Sequence, residues 1–228
     1  MKTSAIIEAL GSRKSVRQYL PKNLPQTDVE RILRAARLAP SGGNLQPGRF
    51  HALTGTALLD LSQALNEAAM FQDPTSEYSY FPQPMPADLK TKQRAAGYAL
   101  YEALGIDRRD FEGRKQQFDK NYRFFDAPVG IIVTIHKDMG KGCFMDLGMS
   151  LMALFMAAHD LGYGTTGIGA IAKYGPVAHA ALGLNDDELV VCGVALGVED
   201  TSAPVNRFRT VRDDLDQFTT FRGFDTSG

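Results

Sequence analysis

The chain has 228 residues, enough for one large domain or two small ones, and with 44% hydrophobic residues it can fill a sizeable core. A formal net charge of −1, with 22% charged residues, excludes the basic excess of a nucleic-acid or anionic-membrane binder. Cys143 and Cys192 lack CxxC spacing and read as buried thiols of a cytosolic protein, while His51, His136, His159 and His179 show no metal-ligand spacing, so no metal is expected.

Residues 5–10 form a short apolar helical pattern without the uninterrupted apolar core of a signal peptide, so a cytoplasmic location is expected. Directly after it stands Arg13-Lys14-Ser15-Val16-Arg17-Gln18-Tyr19. Three cations within five residues, around a serine, suit a phosphate: arginine forks pair with its oxygens and the hydroxyl adds a donor. The same residues also read as a solvated basic turn.

A helix is expected over 28–38, with Thr27 as N-cap and Glu30 completing a capping box, ended by Ala39-Pro40. The loop Ser41-Gly42-Gly43-Asn44-Leu45-Gln46-Pro47 reads as a turn, but Asn44 and Gln46 are amides able to address a heteroaromatic edge. A strand near 50–53 and a helix over 56–69 follow. Residues 72–88 hold Pro74, Pro82, Pro84 and Pro86 among Tyr78, Tyr80 and Phe81, which excludes a regular helix. With helical stretches near 89–104 and 108–121, the region 72–121 reads as an excursion from a single domain spanning 1–228, because it has too few apolar residues for a core of its own.

The β-branched run 128–136 is the clearest strand. The helix expected over 144–161 is apolar on nearly all sides, so burial on all sides is expected, within a core or between subunits. Gly162-Tyr163-Gly164-Thr165-Thr166-Gly167 spells G-x-G-x-x-G, but a helix precedes it and Gly169-Ala170-Ile171 looks extended, the reverse of a dinucleotide-binding turn. It reads instead as a helix cap leading into a strand, or as glycines that let backbone approach a flat ligand. A helix over 176–182, a buried strand over 189–198 and a polar arm over 200–228 complete the chain. In that arm, Asn206-Arg207-Phe208-Arg209 offers a second arginine pair. No nucleophile–base–acid arrangement stands out, so any chemistry is expected to rest on a cofactor, with no catalytic side chain.

These segments in order, the basic stretch at 13–19, Ala39 to Pro47, Asp146 to Thr165, and Ala195-Leu196-Gly197 followed by Pro204 to Arg209, resemble the flavin-dependent nitroreductase family, in the branch with a long mid-chain insertion that includes nitrobenzoate-type reductases. The resemblance implies an α+β fold with a central antiparallel or mixed sheet flanked by helices. It also implies an intertwined homodimer whose C-terminal arm wraps the partner, and FMN held between subunits. NAD(P)H would pass a hydride to flavin N5, and a planar acceptor such as a nitroaromatic would then take two electrons in a ping-pong cycle. Carried over by position, Arg13, Lys14 and Ser15 would meet the FMN phosphate, with Arg207 or Arg209 closing on it. Arg17 would lie near the flavin N1/O2 edge, and Ser41, Gly42 and Asn44 would reach the other subunit's flavin. The backbone at Ile168, Gly169 and Ala170 would pass beside the ring.

Tyr78, Tyr80, Phe81, Tyr122 and Phe124, with Tyr98, Tyr101 and Phe125, are candidates to wall a substrate pocket, though core packing explains the same rings. Two features depart from many relatives: Ala153 stands where an asparagine is frequent, and Thr166-Gly167-Ile168-Gly169 lacks a bulky residue. A dehalogenase or other reductase on the same fold, and a non-catalytic flavin-binding regulator, are the competing readings.

Overall fold

A computed structural model describes residues 4–224. Its centre is a four-stranded antiparallel sheet in the order β1-β2-β4-β3, made of β1 (Arg49–Leu53), β2 (Val129–His136), β4 (Glu188–Gly197) and β3 (Gly164–Ile168). The two middle strands are the β-branched runs, and all but one of their residues are buried. Strand alternation sends Ile132, Val190 and Ala195 to one face and Ile131, Val133 and Leu196 to the other. The first face is covered by α3 (Gly55–Phe71) through Leu58, Leu61 and Leu65, and by α7 (Gly175–Leu182). The second is covered by α2 (Gln26–Ala36) and α6 (Lys141–Asp160).

Two glycines in the central strands make the first layer possible. A Cβ on Gly130 would meet Leu58 at 2.4 Å, and one on Gly193 would meet Ile171 at 2.3 Å; both would stand 3.0 Å from the Phe124 ring. Phe124, fully enclosed, and Tyr122, packed edge-on against Tyr174 at 5.3 Å, are therefore core residues. Phe125 is buried with them. The packing reading of these three rings replaces the expectation of a substrate wall.

Two local expectations differ. The N-cap of α2 is Pro25 rather than Thr27, which lies inside the first turn, so no Thr27–Glu30 box forms. Residues Gly169–Tyr174 are a 3₁₀ turn, not extended chain. That turn places positions three apart on one side, and Ile171 and Tyr174 both enter the core.

The end of α6 forms the expected cap. Gly162 is left-handed (φ 79°), Tyr163 N–H donates to Ala158 O at 2.8 Å and Gly162 N–H to His159 O at 3.0 Å. Inside one chain α6 is not buried all round. Leu147, Ser150, Leu154 and Ala158 face the core, and the Ser150 hydroxyl donates to Ala36 O at 2.7 Å. On the other side Met145 is 71% exposed and Met149 42%. Met145, Met149, Met152 and Met156 follow at the alternating four- and three-residue spacing of a helix-packing seam. By length and composition α6 could also cross a membrane, with mean hydropathy 1.3; in this fold it lies along α2 and the sheet.

The helices of the 72–121 excursion lie on the surface: α4 (Ala87–Ala103) buries no residue, as is also true of α1 (Ala5–Ser12). In α5 (Phe111–Asp119) only Gln117 is buried. The excursion is pinned to the sheet at its start. A bulge between Val133 and Thr134 leaves Val191 without an opposite residue, and the Val191 carbonyl accepts the Tyr78 hydroxyl at 2.6 Å. The C-terminal arm, with α8 (Leu215–Phe218), leaves Val211, Phe218, Phe221 and Phe224 largely exposed.

At the start of β4, the buried Glu188 carboxylate accepts from Thr134 (2.5 Å), Asn185 (2.9 Å) and Arg49 (3.0 Å), and His51 Nε2 lies 2.8 Å away. Burial alone would raise its pKa, but these bonds outweigh it and lower the carboxyl from 4.5 to about 2. Its contribution to stability is therefore complete above pH 4.5 and lost as pH falls from 4.5 towards 2. Glu188→Ala should cost about 2–3 kcal/mol near neutral pH, because it strands several polar partners. Thermal melts should show the gap from the unmodified protein closing below pH 4.5. A constant gap down to pH 2 would contradict the assignment.

Candidate active site

Residues after α1 run beside the edge strand β3. Ser15 bridges to Thr165, Val16 N–H donates to Thr165 O at 3.0 Å, and Leu20 N–H donates to Val198 O at 2.9 Å. Close approach is possible because Gly164 has no side chain; a Cβ there would meet Val16 at 2.6 Å. The sheet edge thus straightens the basic stretch and fixes where its cations stand.

Asn206, which the sequence offered only as part of a basic turn, is the clamp. Its buried amide donates to Gln18 O and Asp200 O, both at 2.8 Å, and accepts from Arg17 N–H at 2.8 Å. Its own carbonyl accepts from Lys14 Nζ at 2.6 Å. The C-terminal turn is thereby tied to the basic strand, and the arm beyond it brings in Arg209. That guanidinium donates to Arg13 O at 2.8 Å and Ser12 O at 2.5 Å.

The result is a cleft of about 390 Å³ lined by Arg13, Lys14, Ser15, Arg17, Arg209 and Arg212. Arg212 had no signal in the sequence beyond its charge; only the fold of the arm brings it in. Arg207, just after the turn at 204–206, is exposed and does not line the cleft. The Lys14 ammonium is already paired with Glu199 at 2.5 Å. Arg13, Arg17, Arg209 and Arg212 form no ion pair among the described residues. Burial, then Arg212 and Arg209, lower the pKa of Arg13, and its Nε is buried without a hydrogen-bond partner among the described residues. Burial lowers that of Arg17. Crowded cations with unused donors are the electrostatic complement of a compact polyanion such as a phosphate.

Four residues on from Thr165, about 13 Å at the usual strand rise, β3 ends and Gly169 and Ala170 line a second cavity of about 630 Å³. Tyr78, Tyr80 and Phe81 stand over it, and a Cβ on Gly169 would touch Tyr80 at 3.0 Å. Phe118, Gln93, Asn121 and Lys173, not singled out in the sequence, also line it. Ile168 turns its side chain into the core, leaving only backbone at the strand end. Tyr98 and Tyr101 belong elsewhere, to a cavity at the α4–α5 turn where Arg108 and Arg114 cover their rings.

Ser41, Gly42 and Asn44 line neither the basic cleft nor the aromatic cavity. Their loop is held beside α6. Gly42 N–H donates to Asp146 at 3.0 Å, Gln46 N–H to the Ser41 hydroxyl at 2.9 Å, and Arg37 to Gly48 O at 2.7 Å. Asn44 and Gln46 both adopt positive φ, a strained shape that this network holds on the surface.

A basic cleft at one point of an edge strand and an aromatic cavity at its end suit an elongated ligand with a phosphate and a flat ring. Known proteins bear on the same point. The profile of the nitroreductase family matches residues 10–198. A chloronitrobenzene nitroreductase of Comamonas testosteroni is 36% identical over 97% of this chain and 99% of its own length. A 4-nitrobenzoate reductase of Pseudomonas putida is 34% identical over 95% of each. Among solved structures, the FMN- and NADPH-dependent nitroreductase NfnB from Sphigopyxis sp. strain HMH superposes with a TM-score of 0.94 at 34% identity, covering 97% of this chain and 100% of its own. With that profile covering most of its length, and relatives above 30% identity along nearly all of it, the chain belongs to the nitroreductase family.

Proposed function

We propose that the protein is an FMN-dependent NAD(P)H oxidoreductase that reduces nitroaromatic compounds, working as a homodimer in the cytoplasm. The observation that carries this reading is the Arg13 Nε, buried without a hydrogen-bond partner among the described residues, in a cluster of mutually repelling cations one strand's length from an aromatic cavity. When bound, FMN supplies the reversible two-electron carrier that the side chains lack. Arg13, Arg209 and Arg212, with the Ser15 hydroxyl, would hold its phosphate by charge-assisted hydrogen bonds. Lys14, its ammonium engaged by Glu199, adds charge but fewer free donors.

Arg17 keeps a cation further along the strand. Its partial burial raises its strength against any negative charge that develops nearby, because screening by water is reduced there. Gly169 and Ala170 leave backbone open to a flat ring, while Tyr80 and Phe81 offer faces for a planar acceptor. Tyr78 lines the same cavity and also anchors the excursion to Val191. Ser41, Gly42 and Asn44 reach a cofactor only from a second copy of the chain. The exposed methionine seam of α6 and the apolar side chains of the arm support that second copy.

The test is the visible spectrum of the FMN-loaded protein, followed by addition of NADH or NADPH under nitrogen. Bleaching, then recolouring on adding a nitroarene, is the expected course. A flavin that stays oxidised with both donors would defeat the proposal. Arg13→Ala should raise the FMN dissociation constant at least tenfold, since a charge-assisted contact contributes roughly 1.5–3 kcal/mol. Flavin fluorescence quenching reads this directly, and unchanged affinity would remove Arg13 from the phosphate site.

A further inference from the structure

The aromatic cavity has an uneven charge. Its lining combines the rings of Tyr78, Tyr80, Phe81 and Phe118 with several neutral polar groups and one cation, Lys173; it contains no aspartate or glutamate. The acids near it in sequence are occupied elsewhere. Glu77 turns its carboxylate towards Val190 N–H at 3.3 Å, and Asp119 pairs with Lys115 at 2.7 Å. Lys173 makes no ion pair among the described residues, and its Nζ lies 5.3 Å from the centre of the Phe118 ring.

Its backbone, in contrast, is firmly held. The Lys173 carbonyl accepts from Thr75 N–H at 2.8 Å, and the 3₁₀ turn that carries it is fixed by Ile171 and Tyr174 in the core. The ammonium therefore swings on a rigid base at the rim of a cavity whose other walls are flat and neutral. A cation over an aromatic face is already favourable, and a ring lying in the cavity with an anionic substituent would give it a full countercharge.

We propose that Lys173 gives this cavity a preference for aromatic rings bearing a carboxylate, so that among nitroarenes the protein takes anionic ones more readily than neutral ones. The preference rests on the function proposed above for its reductive part; ring binding itself needs no turnover. Because Lys173 is exposed at the rim, its attraction is partly screened and should weaken with added salt.

Calorimetry on the FMN-loaded protein with benzoate and benzamide, which have the same ring and no nitro group, isolates the binding step. Benzoate should bind about tenfold more tightly than benzamide at low salt. Lys173→Gln should abolish that ratio by weakening benzoate alone, and Lys173→Arg should preserve most of it. Equal affinities in the unmodified protein, or a ratio that survives Lys173→Gln, would overturn the proposal. Reduction of neutral 4-nitrobenzamide is followed in parallel: its absence counts against the nitroreductase reading, whereas the calorimetric ratio speaks only to Lys173.

Discussion

Met149→Glu should yield a monomer that retains no flavin. Met149 lies on the methionine seam of α6, with Met145 one turn before it and the half-buried Met152 one turn after, and the described residues leave Met145 and Met149 exposed. Docked against a second copy, a glutamate there would be an unpaired charge in an apolar contact, at a cost on the order of several kcal/mol. In the isolated chain the same side chain points to water, so the fold itself should survive. Flavin should be lost along with the partner, because Ser41, Gly42 and Asn44 stand apart from the Arg13 cleft within one chain. Light scattering gives the mass, circular dichroism confirms folding, and absorbance reports the flavin. A folded yellow dimer would refute the placement of this face.

Arg209→Ala should weaken FMN binding by ten- to a hundredfold or more, while Arg207→Ala should leave it nearly unchanged. Arg209 has two roles: it adds a cation to the cleft, and it grips the carbonyls of Ser12 and Arg13. Its loss removes a charge-assisted contact, of roughly 1.5–3 kcal/mol, and frees the arm that carries Arg212. Arg207 points out of the cleft, so its removal tests whether general positive charge matters. Titration of the apoprotein with FMN distinguishes them. Equal losses in the two variants would indicate a long-range charge effect, and a loss confined to Arg207 would reverse the assignment.

Much of this was legible in the residue order. The β-branched runs at 128–136 and 189–198 could be buried strands and little else, and they form the middle of the sheet. The helix preceding Gly162 excluded a dinucleotide turn, and the capped end of α6 has that form. The basic stretch and the second arginine pair stood out because several cations close together need either water or an anion. These are local signals, in which spacing and side-chain chemistry act within a few residues.

What sequence could not decide depended on neighbours distant along the chain. An aromatic ring suits a core and a ligand wall equally well; Phe124 is a core ring because Gly130 and Gly193 leave a space for it, and Tyr80 borders a cavity because Gly169 does. Arg207 and Arg209 are two residues apart and equally charged, yet only the turn clamped by Asn206 decides which of them faces Arg13. Burial and partner geometry are properties of the packed chain, and a single residue's type fixes neither.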